Sequence, residues 1–512
     1  VAKLHPSALR NRFAALPRVL RIIVPIALGG FAALGHEAWM TGFLAVSVAL
    51  ALAFLILPVQ RRAAAWFGWL LGLGYFGVTL RWLVEPFLVD PVRHGWMAPF
   101  AIFFMAGGLA LFWALAVWGA RWIVGRGASV MIWLPVTLAA AELARGHILS
   151  GFPWGLLSYT LIGGVGDVWF AWVGPYGTNF LLLALVGGVS FCLHKGWTLV
   201  WPALVGVLFV TIGVQALTPK AAEPSSQSVV RIIQPNAPQH QKWDREWMPV
   251  FFDRAIELTA SGATPNVVIW PETSVPAMLN FAQPWTEQMS LAAHGAPVVA
   301  GIQRRDGENY FNSAILIDQP ESISAISDKV HLVPFGEYIP LAWLLKPIGL
   351  GTLVDQVAGF SPGVGDGLMQ IDGLGLARVL ICYEGIFPEE MQRGDVRPDV
   401  LLILTNDAWF GKGAGPRQHL VQAQARAIEQ GLPVVRAANT GISAIIDPRG
   451  NITESLPLNE AGYLDAFVPG ASAQTLYAKI GDWPLLVLLC LCIMAGIAQR
   501  SRIRIDGDGP RV

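Results

Sequence analysis

The chain has 512 residues, with Lys+Arg and Asp+Glu both at 35, so its formal net charge is zero. It is 54% hydrophobic, only 14% charged and carries 21 tryptophans, which excludes an ordinary soluble multidomain protein and points to an integral membrane protein. No long basic run occurs, and nothing in the charge balance suggests nucleic-acid binding.

Lys3, Arg10, Arg12 and Arg18 precede the first apolar run. More spans follow at once, so this start reads as a retained signal anchor. A bilayer-crossing helix needs roughly 20 apolar residues. Runs that meet or approach this lie at about 19–35, 40–58, 64–84, 96–119, 129–144, 168–193 and 197–217. The fifth is the weakest, because it contains Pro135 and Glu142. After Lys220 the stretch Ala221 to Gln227 is small and polar, and most acidic side chains lie between it and residue 478. One further apolar run, about 480–498, precedes an Arg-rich tail. The expected organisation is a membrane domain of about seven spans over 1–220, an aqueous domain over 221–478, and a final span with a basic cytoplasmic tail over 479–512.

The positive-inside bias sets the expected orientation. With the basic N-terminus inside, Arg61-Arg62, Arg121 with Arg126, Lys195, and the tail's Arg500, Arg502 and Arg504 all fall on the cytoplasmic side. An odd number of spans then puts the aqueous domain against the outer face. Few ionisable groups lie in the spans: Arg81 and Glu85 near one end, Glu142 and Arg145 near another. These positions favour a lipid-facing platform over a transport conduit.

Within the aqueous domain, strands are expected at Val229–Ile233, Val267–Trp270, Val298–Ile302, Ala314–Ile317, Ala377–Ile381, Val400–Leu404, Val434–Ala437 and Ser443–Ile446, with a helix around Trp247–Ala260. Strands alternating with helices predict an α/β layered domain with its functional residues at strand ends.

Three of the four cysteines, Cys192, Cys490 and Cys492, lie in apolar runs, whereas Cys382 ends a strand of the aqueous domain. A lone thiol there has no internal disulfide partner and is either inert packing or a nucleophile. Two other positions favour the nucleophile. Glu272 follows a strand in Trp270-Pro271-Glu272-Thr273, where the proline ends pairing and presents the carboxylate. Lys329 opens Asp328-Lys329-Val330-His331-Leu332-Val333-Pro334-Phe335-Gly336-Glu337-Tyr338, which reads as a strand-like run closed by a Pro/Gly turn. A carboxylate can take the thiol proton, and an ammonium with a backbone N–H such as that of Tyr383 can stabilise an oxyanion. Such a set performs acyl transfer with no metal or cofactor. His331 and His419 form no cluster with zinc spacing and are read as structural or supporting residues, and Arg426 with Glu429 as a local ion pair.

Trp-Pro-Glu, Lys-x-x-Leu-x-Pro-x-Gly-Glu and Cys-Tyr-Glu, in that order, resemble the nitrilase superfamily over about residues 229–466. The resemblance implies an α-β-β-α sandwich appended to an α-helical polytopic membrane domain of about eight spans. It puts Glu272, Lys329 and Cys382 on the catalytic triad and Glu337 on the superfamily's second glutamate, with Tyr383 and Glu384 supporting. Gly151-Phe152-Pro153-Trp154 and Asn406-Asp407-Ala408-Trp409-Phe410-Gly411 further resemble a membrane-embedded bacterial branch that works in lipoprotein maturation. That branch implies a phospholipid acyl donor, a diacylglyceryl-apolipoprotein acceptor, an inner-membrane location with the catalytic domain on the periplasmic side, and substrate-contacting tryptophans at Trp243 and Trp409. The apolar segment Leu341–Leu350, within the stretch Leu341–Phe360, is expected to be either an arm that dips into the outer leaflet or a buried loop. A membrane-tethered amidase with the same triad, and a non-enzymatic receptor or transporter, are the alternatives.

Overall fold

In the computed structural model each of the eight apolar runs is helical: Arg18–Ala33, Gly42–Ile56, Arg61–Thr79, Ala98–Val124, Val130–His147, Trp169–Lys195, Val200–Leu217 and Trp483–Gly507. The described residues are 6–37, 41–125, 127, 129–195, 200–218, 228–319, 322–340, 342 and 359–507. They divide into two units, Val1–Thr218 with Thr475–Val512, and Pro219–Gln474.

The first unit is helical because hydrocarbon leaves backbone groups no water to bond, so each apolar run must satisfy its own. Among the described residues five helices are long and apolar enough to cross a bilayer, and a sixth arises if Arg61–Thr79 and Arg81–Leu88, bent by 48°, count as one span. Gly42–Ile56 is apolar but has only 15 residues. Val130–His147 carries Pro135, Glu142 and Arg145 inside it. All eight runs are thus helices, while the number of full crossings is approximate. Glycines let two of these helices touch backbone to backbone. A Cβ on Gly29 would sit 2.0 Å from the Leu71 carbonyl oxygen, and one on Gly74 2.0 Å from that of Ile26. The Trp169–Lys195 helix breaks at Gly174 (φ 67°), just before Pro175.

Two charge pairs inside this unit are satisfied within it. Arg145 pairs with Glu142 at 2.6 Å, both side chains 1% exposed. Trp113 Nε1 donates to Glu142 at 2.7 Å, and Arg145 donates to the carbonyls of Phe152 and Trp154. The pair therefore ties down the Gly151–Trp154 segment. Arg81 pairs with Glu37.

The second unit holds two six-stranded sheets, ordered β12-β1-β2-β3-β4-β5 and β11-β10-β9-β8-β7-β6. In chain order the strands are β1 Val229–Gln234, β2 Val267–Ile269, β3 Val298–Asp306, β4 Asn309–Gln319, β5 Ser322–Asp328, β6 Leu368–Ile371, β7 Gly375–Ile381, β8 Val400–Thr405, β9 Val434–Ala438, β10 Ser443–Ile446, β11 Ile452–Leu456 and β12 Gly462–Phe467. The centre of each sheet is parallel, β1-β2-β3 in one and β7-β8-β9 in the other. Both faces of these central strands are buried, which is why they read as unbroken apolar runs. Ile232, Ile269 and Val299 face Val379, Ile381, Leu402 and Val435 in a shared core between the sheets. Their neighbours Ile233, Val268, Trp270 and Val298 point the other way, onto Phe252 of helix Trp247–Ala260 and Met289 of helix Gln283–Ala292. Helix Ala414–Gln430 covers the outer face of the second sheet through Leu420, Ala423 and Ala427. The layers are α-β-β-α, and each large apolar side chain buried in them contributes about 1.5–3 kcal/mol.

Two expectations are corrected. The run after Asp328 is not strand-like: β5 ends at Asp328, and Lys329–Tyr338 is a loop with a turn at Phe335–Glu337 and a bridge between Pro334 and Tyr338. β5, β6, β11 and β12 were also not anticipated. β5 and β11 are edge strands with largely exposed residues, Ser-Ile-Ser-Ala-Ile-Ser-Asp and Ile-Thr-Glu-Ser-Leu, so neither carries an apolar run.

Candidate active site

Topology gathers the candidate residues at one end of the sandwich. β2 and β3 run parallel, β4 reverses and β5 reverses again, so the ends of β2 and β5 and the start of β4 lie on the same side. These ends supply Glu272, Lys329 and Asn312. In the second sheet the parallel strands β7 and β8 end just before Cys382 and Asn406. Functional residues beyond the carboxyl ends of parallel strands are the usual outcome of this layering.

Cys382 follows β7 immediately and takes φ = 52°, a left-handed conformation that costs a residue with a Cβ about 1–3 kcal/mol. It opens the short 3-10 turn Cys382–Ile386 and is 6% exposed. Burial pushes its thiol well above the ordinary range, and the Glu272 carboxylate adds to this. The Lys329 ammonium and the Thr405 hydroxyl oppose them. The resting group is therefore a thiol, and it needs a base to become a nucleophile.

Glu272 is 6% exposed and held by two donors from different sheets. Asn312 Nδ2 donates to Oε1 at 2.8 Å, and the backbone N–H of Asn406 donates to Oε2 at 2.9 Å. Lys329 Nζ stands 3.8 Å from Oε1. Gly301 of β3 lies directly beneath, because a Cβ there would come 2.6 Å from the Glu272 Cα and 2.4 Å from the Thr273 nitrogen.

Lys329 is 1% exposed and donates to Glu337 Oε1 at 2.9 Å. Burial lowers its ammonium, but the charges of Glu337 and Glu272 outweigh that and hold it above the ordinary lysine range. It is a fixed positive charge. Glu337 Oε2 accepts from the Val333 N–H at 2.7 Å, so it braces the loop that carries Lys329.

Glu384 links the two halves. Its carboxylate accepts from the backbone N–H of Ile381 at 2.8 Å, of Val330 at 2.8 Å and of His331 at 3.1 Å. It thereby ties the Cys382 turn to the Lys329 loop. Tyr383 packs edge-on against His331 and Phe387. Behind Cys382, Asp407 accepts from Arg436 at 2.6 Å, from Thr405 at 2.9 Å and contacts His419 Nδ1 at 2.9 Å. Burial alone would raise the Asp407 carboxyl, yet Arg436 and His419 pull it down to about 2. The His419 ring also bonds the Cys382 backbone, and burial lowers its pKa, leaving it neutral.

A carbon-nitrogen hydrolase family model matches residues 229–477, and a model of the apolipoprotein N-acyltransferase N-terminal domain matches residues 28–189. An apolipoprotein N-acyltransferase of Caulobacter vibrioides is 38% identical over 87% of this chain and 88% of its own length. One of Rhodopseudomonas palustris is 34% identical over 94% and 95%. The chain belongs to the apolipoprotein N-acyltransferase family.

In this member of the apolipoprotein N-acyltransferase family the two tryptophans singled out in the sequence flank linked loops. Trp243 (45% exposed) follows the short helix Gln239–Lys242, and Trp409 (39% exposed) lies in the turn Asp407–Phe410. Asn406 Nδ2 donates to Gln239 Oε1 at 2.8 Å and so joins the loops. Most of the Leu341–Phe360 arm lies outside the described residues; Phe360 donates its N–H to the Glu337 carbonyl at 3.0 Å. His419 contacts Asp407, and Arg426 pairs with Glu429 at 2.5 Å, the local ion pair expected.

Sequence reasoning missed Asn312, the Asn406 N–H, Asp407 with Arg436, and Lys242. A signal existed for Asn312, a buried amide two residues before the apolar run 314–317 of the strand Asn309–Gln319. Lys242 lies beside Trp243 in a polar run that carries no sign of its burial.

Proposed function

We propose that this membrane protein moves a fatty acyl chain from a phospholipid to the α-amine of an N-terminal diacylglyceryl-cysteine on apolipoproteins, through a thioester on Cys382. Glu272 takes the Cys382 proton as Sγ attacks the ester carbonyl, with Lys329 and the Tyr383 N–H stabilising the oxyanion. The C–O bond breaks, and Glu272 returns that proton to the departing lysophospholipid. The acceptor amine then attacks the thioester, Glu272 takes a proton from it, the C–S bond breaks, and the thiolate recovers its proton. Oxyanion donors of this kind are each worth about 3–4 kcal/mol of barrier.

The observation that carries this proposal is the Cys382 turn itself. A protonated thiol on a left-handed turn, within electrostatic reach of a two-donor-anchored carboxylate and a fixed ammonium, suits base-assisted acylation without a metal. The membrane helices and the family membership favour a lipid donor over a small soluble amide. We assign the catalytic unit to the outer, periplasmic face of the inner membrane on the distribution of Arg and Lys. Glu337 and Glu384 act as braces, and Trp243 and Trp409 as substrate contacts.

The test is a reconstituted assay with phospholipid and a diacylglyceryl-cysteine peptide. The expected result is an N-acylated peptide with one lysophospholipid per transfer, abolished by Cys382→Ala. Normal transfer by Cys382→Ala, or ammonia release from a soluble amide without any lipid requirement, would overturn it.

A further inference from the structure

The Glu272 turn is gripped from two sides. On one side it lies on Gly301: Gly301 N–H donates to the Pro271 carbonyl at 3.2 Å, and Ser274 N–H donates to the Gly301 carbonyl at 2.9 Å. On the other side stands Lys242, the last residue of the short helix Gln239–Lys242. It is 7% exposed, and among the described residues no carboxylate pairs with it. Its ammonium instead donates to the Glu272 backbone carbonyl at 3.1 Å and the Thr273 hydroxyl at 3.1 Å. Thr273 has φ = 44°, so the turn it grips is strained and would relax if released. The same Nζ lies 5.7 Å from the centre of the Trp243 ring.

A buried ammonium spent on a carbonyl and a hydroxyl is costly as a structural device, since a lysine without a carboxylate partner is rarely buried. Burial does lower its pKa to about 8, with the Glu272 charge acting in the opposite sense. Glu272 can serve as base only if its backbone holds the carboxylate towards Cys382 while Asn312 and Asn406 hold its two oxygens. Small displacements of a catalytic group cost large factors in rate.

We infer that Lys242 is a positioning residue for the general base: by clamping the Glu272–Thr273 turn it sets the carboxylate's aim at Cys382, and it orients Trp243 beside the same site. This rests on Glu272 being the base. Lys242 forms no bond to substrate and acts through Glu272, so its effect must vanish when Glu272 cannot accept a proton.

The experiment is a double-mutant cycle on the full chain in detergent, reading single-turnover acylation of Cys382 by a short-chain p-nitrophenyl ester as the nitrophenolate burst. Glu272→Gln is expected to slow the burst by about 10²–10⁴. Lys242→Met is expected to slow it by about tenfold in the native background and not at all in the Glu272→Gln background. Thr273→Ala, which removes one acceptor and keeps the ammonium, is expected to give a smaller loss in the same pattern and serves if Lys242→Met does not fold. Equal slowing in both backgrounds, or none in the native one, would overturn the Lys242 assignment while leaving the base intact. A Glu272→Gln burst as fast as the native one would overturn the base assignment and this inference together.

Discussion

Asn312 donates its side-chain amide to Oε1 of Glu272 at 2.8 Å from the start of β4. The same amide reaches Glu337 Oε1 at 3.3 Å, so one neutral donor serves two carboxylates on either side of the Lys329 ammonium. Removing it leaves a buried carboxylate oxygen one donor short. Hydrogen bonds to charged groups are worth about 1.5–3 kcal/mol. Asn312→Ala is therefore expected to slow Cys382 acylation roughly ten- to hundredfold, measured as the single-turnover rate, with little change in donor KM.

Gly301 yields a steric prediction. An alanine Cβ would lie 2.4 Å from the Thr273 nitrogen and 2.7 Å from the Pro271 carbonyl oxygen, both backbone atoms that cannot swing aside. Overpacking of this kind costs about 1–3 kcal/mol. Gly301→Ala is expected to lower the melting temperature and to remove acylation activity even in the fraction that remains folded. An alanine variant with native burst kinetics would show that the Glu272 turn tolerates displacement.

Acid sensitivity is expected from Asp407. Its carboxyl titrates at about 2 in the folded chain against 3.8 ordinarily, because Arg436 and His419 overcome the opposing effect of burial. Between those values the unfolded chain binds more protons than the folded one, so stability falls as pH falls. The contribution, roughly 2 kcal/mol, is complete above about pH 4 and gone once pH drops through about 2. Thermal unfolding of native protein and Asp407→Asn across this window should therefore converge at the acid end. A gap independent of pH would contradict it.

The membrane unit has its own test. Arg145 and Glu142 are each 1% exposed and pair at 2.6 Å. Arg145→Met strands a buried carboxylate and is expected to cost about 3–5 kcal/mol. Arg145→Met with Glu142→Gln removes both charges and should recover much of that loss in thermal unfolding.

The residues proposed to react were legible in the sequence because each sits beside a local break: Glu272 after Pro271, Lys329 ahead of Pro334 and Gly336, Cys382 at the end of an apolar run. The core strands were legible for the same reason, since burial on both faces leaves unbroken Val/Ile/Leu runs. What holds the site was not. Asn312 meets Glu272 across 40 residues, and Asn406 meets it across 134. Such pairs are made by sheet order and by the apposition of two sheets, which no local pattern encodes. The edge strands β5 and β11 were hidden because solvent on one side lets their residues be polar. Helix count followed from composition, but crossing number did not, because Pro135 and the Glu142–Arg145 pair are tolerated once Trp113 and the Phe152 and Trp154 carbonyls satisfy them.

The central claim is that Cys382 carries the acyl chain. Intact-mass spectrometry of the purified chain mixed with phospholipid, beside Cys382→Ser and Glu272→Gln, tests it most directly. The expected result is a fatty-acyl adduct, labile to hydroxylamine, in the native protein and in neither variant. No adduct on a native chain whose Cys382 can still be alkylated, or an adduct that persists in Cys382→Ser, would contradict it.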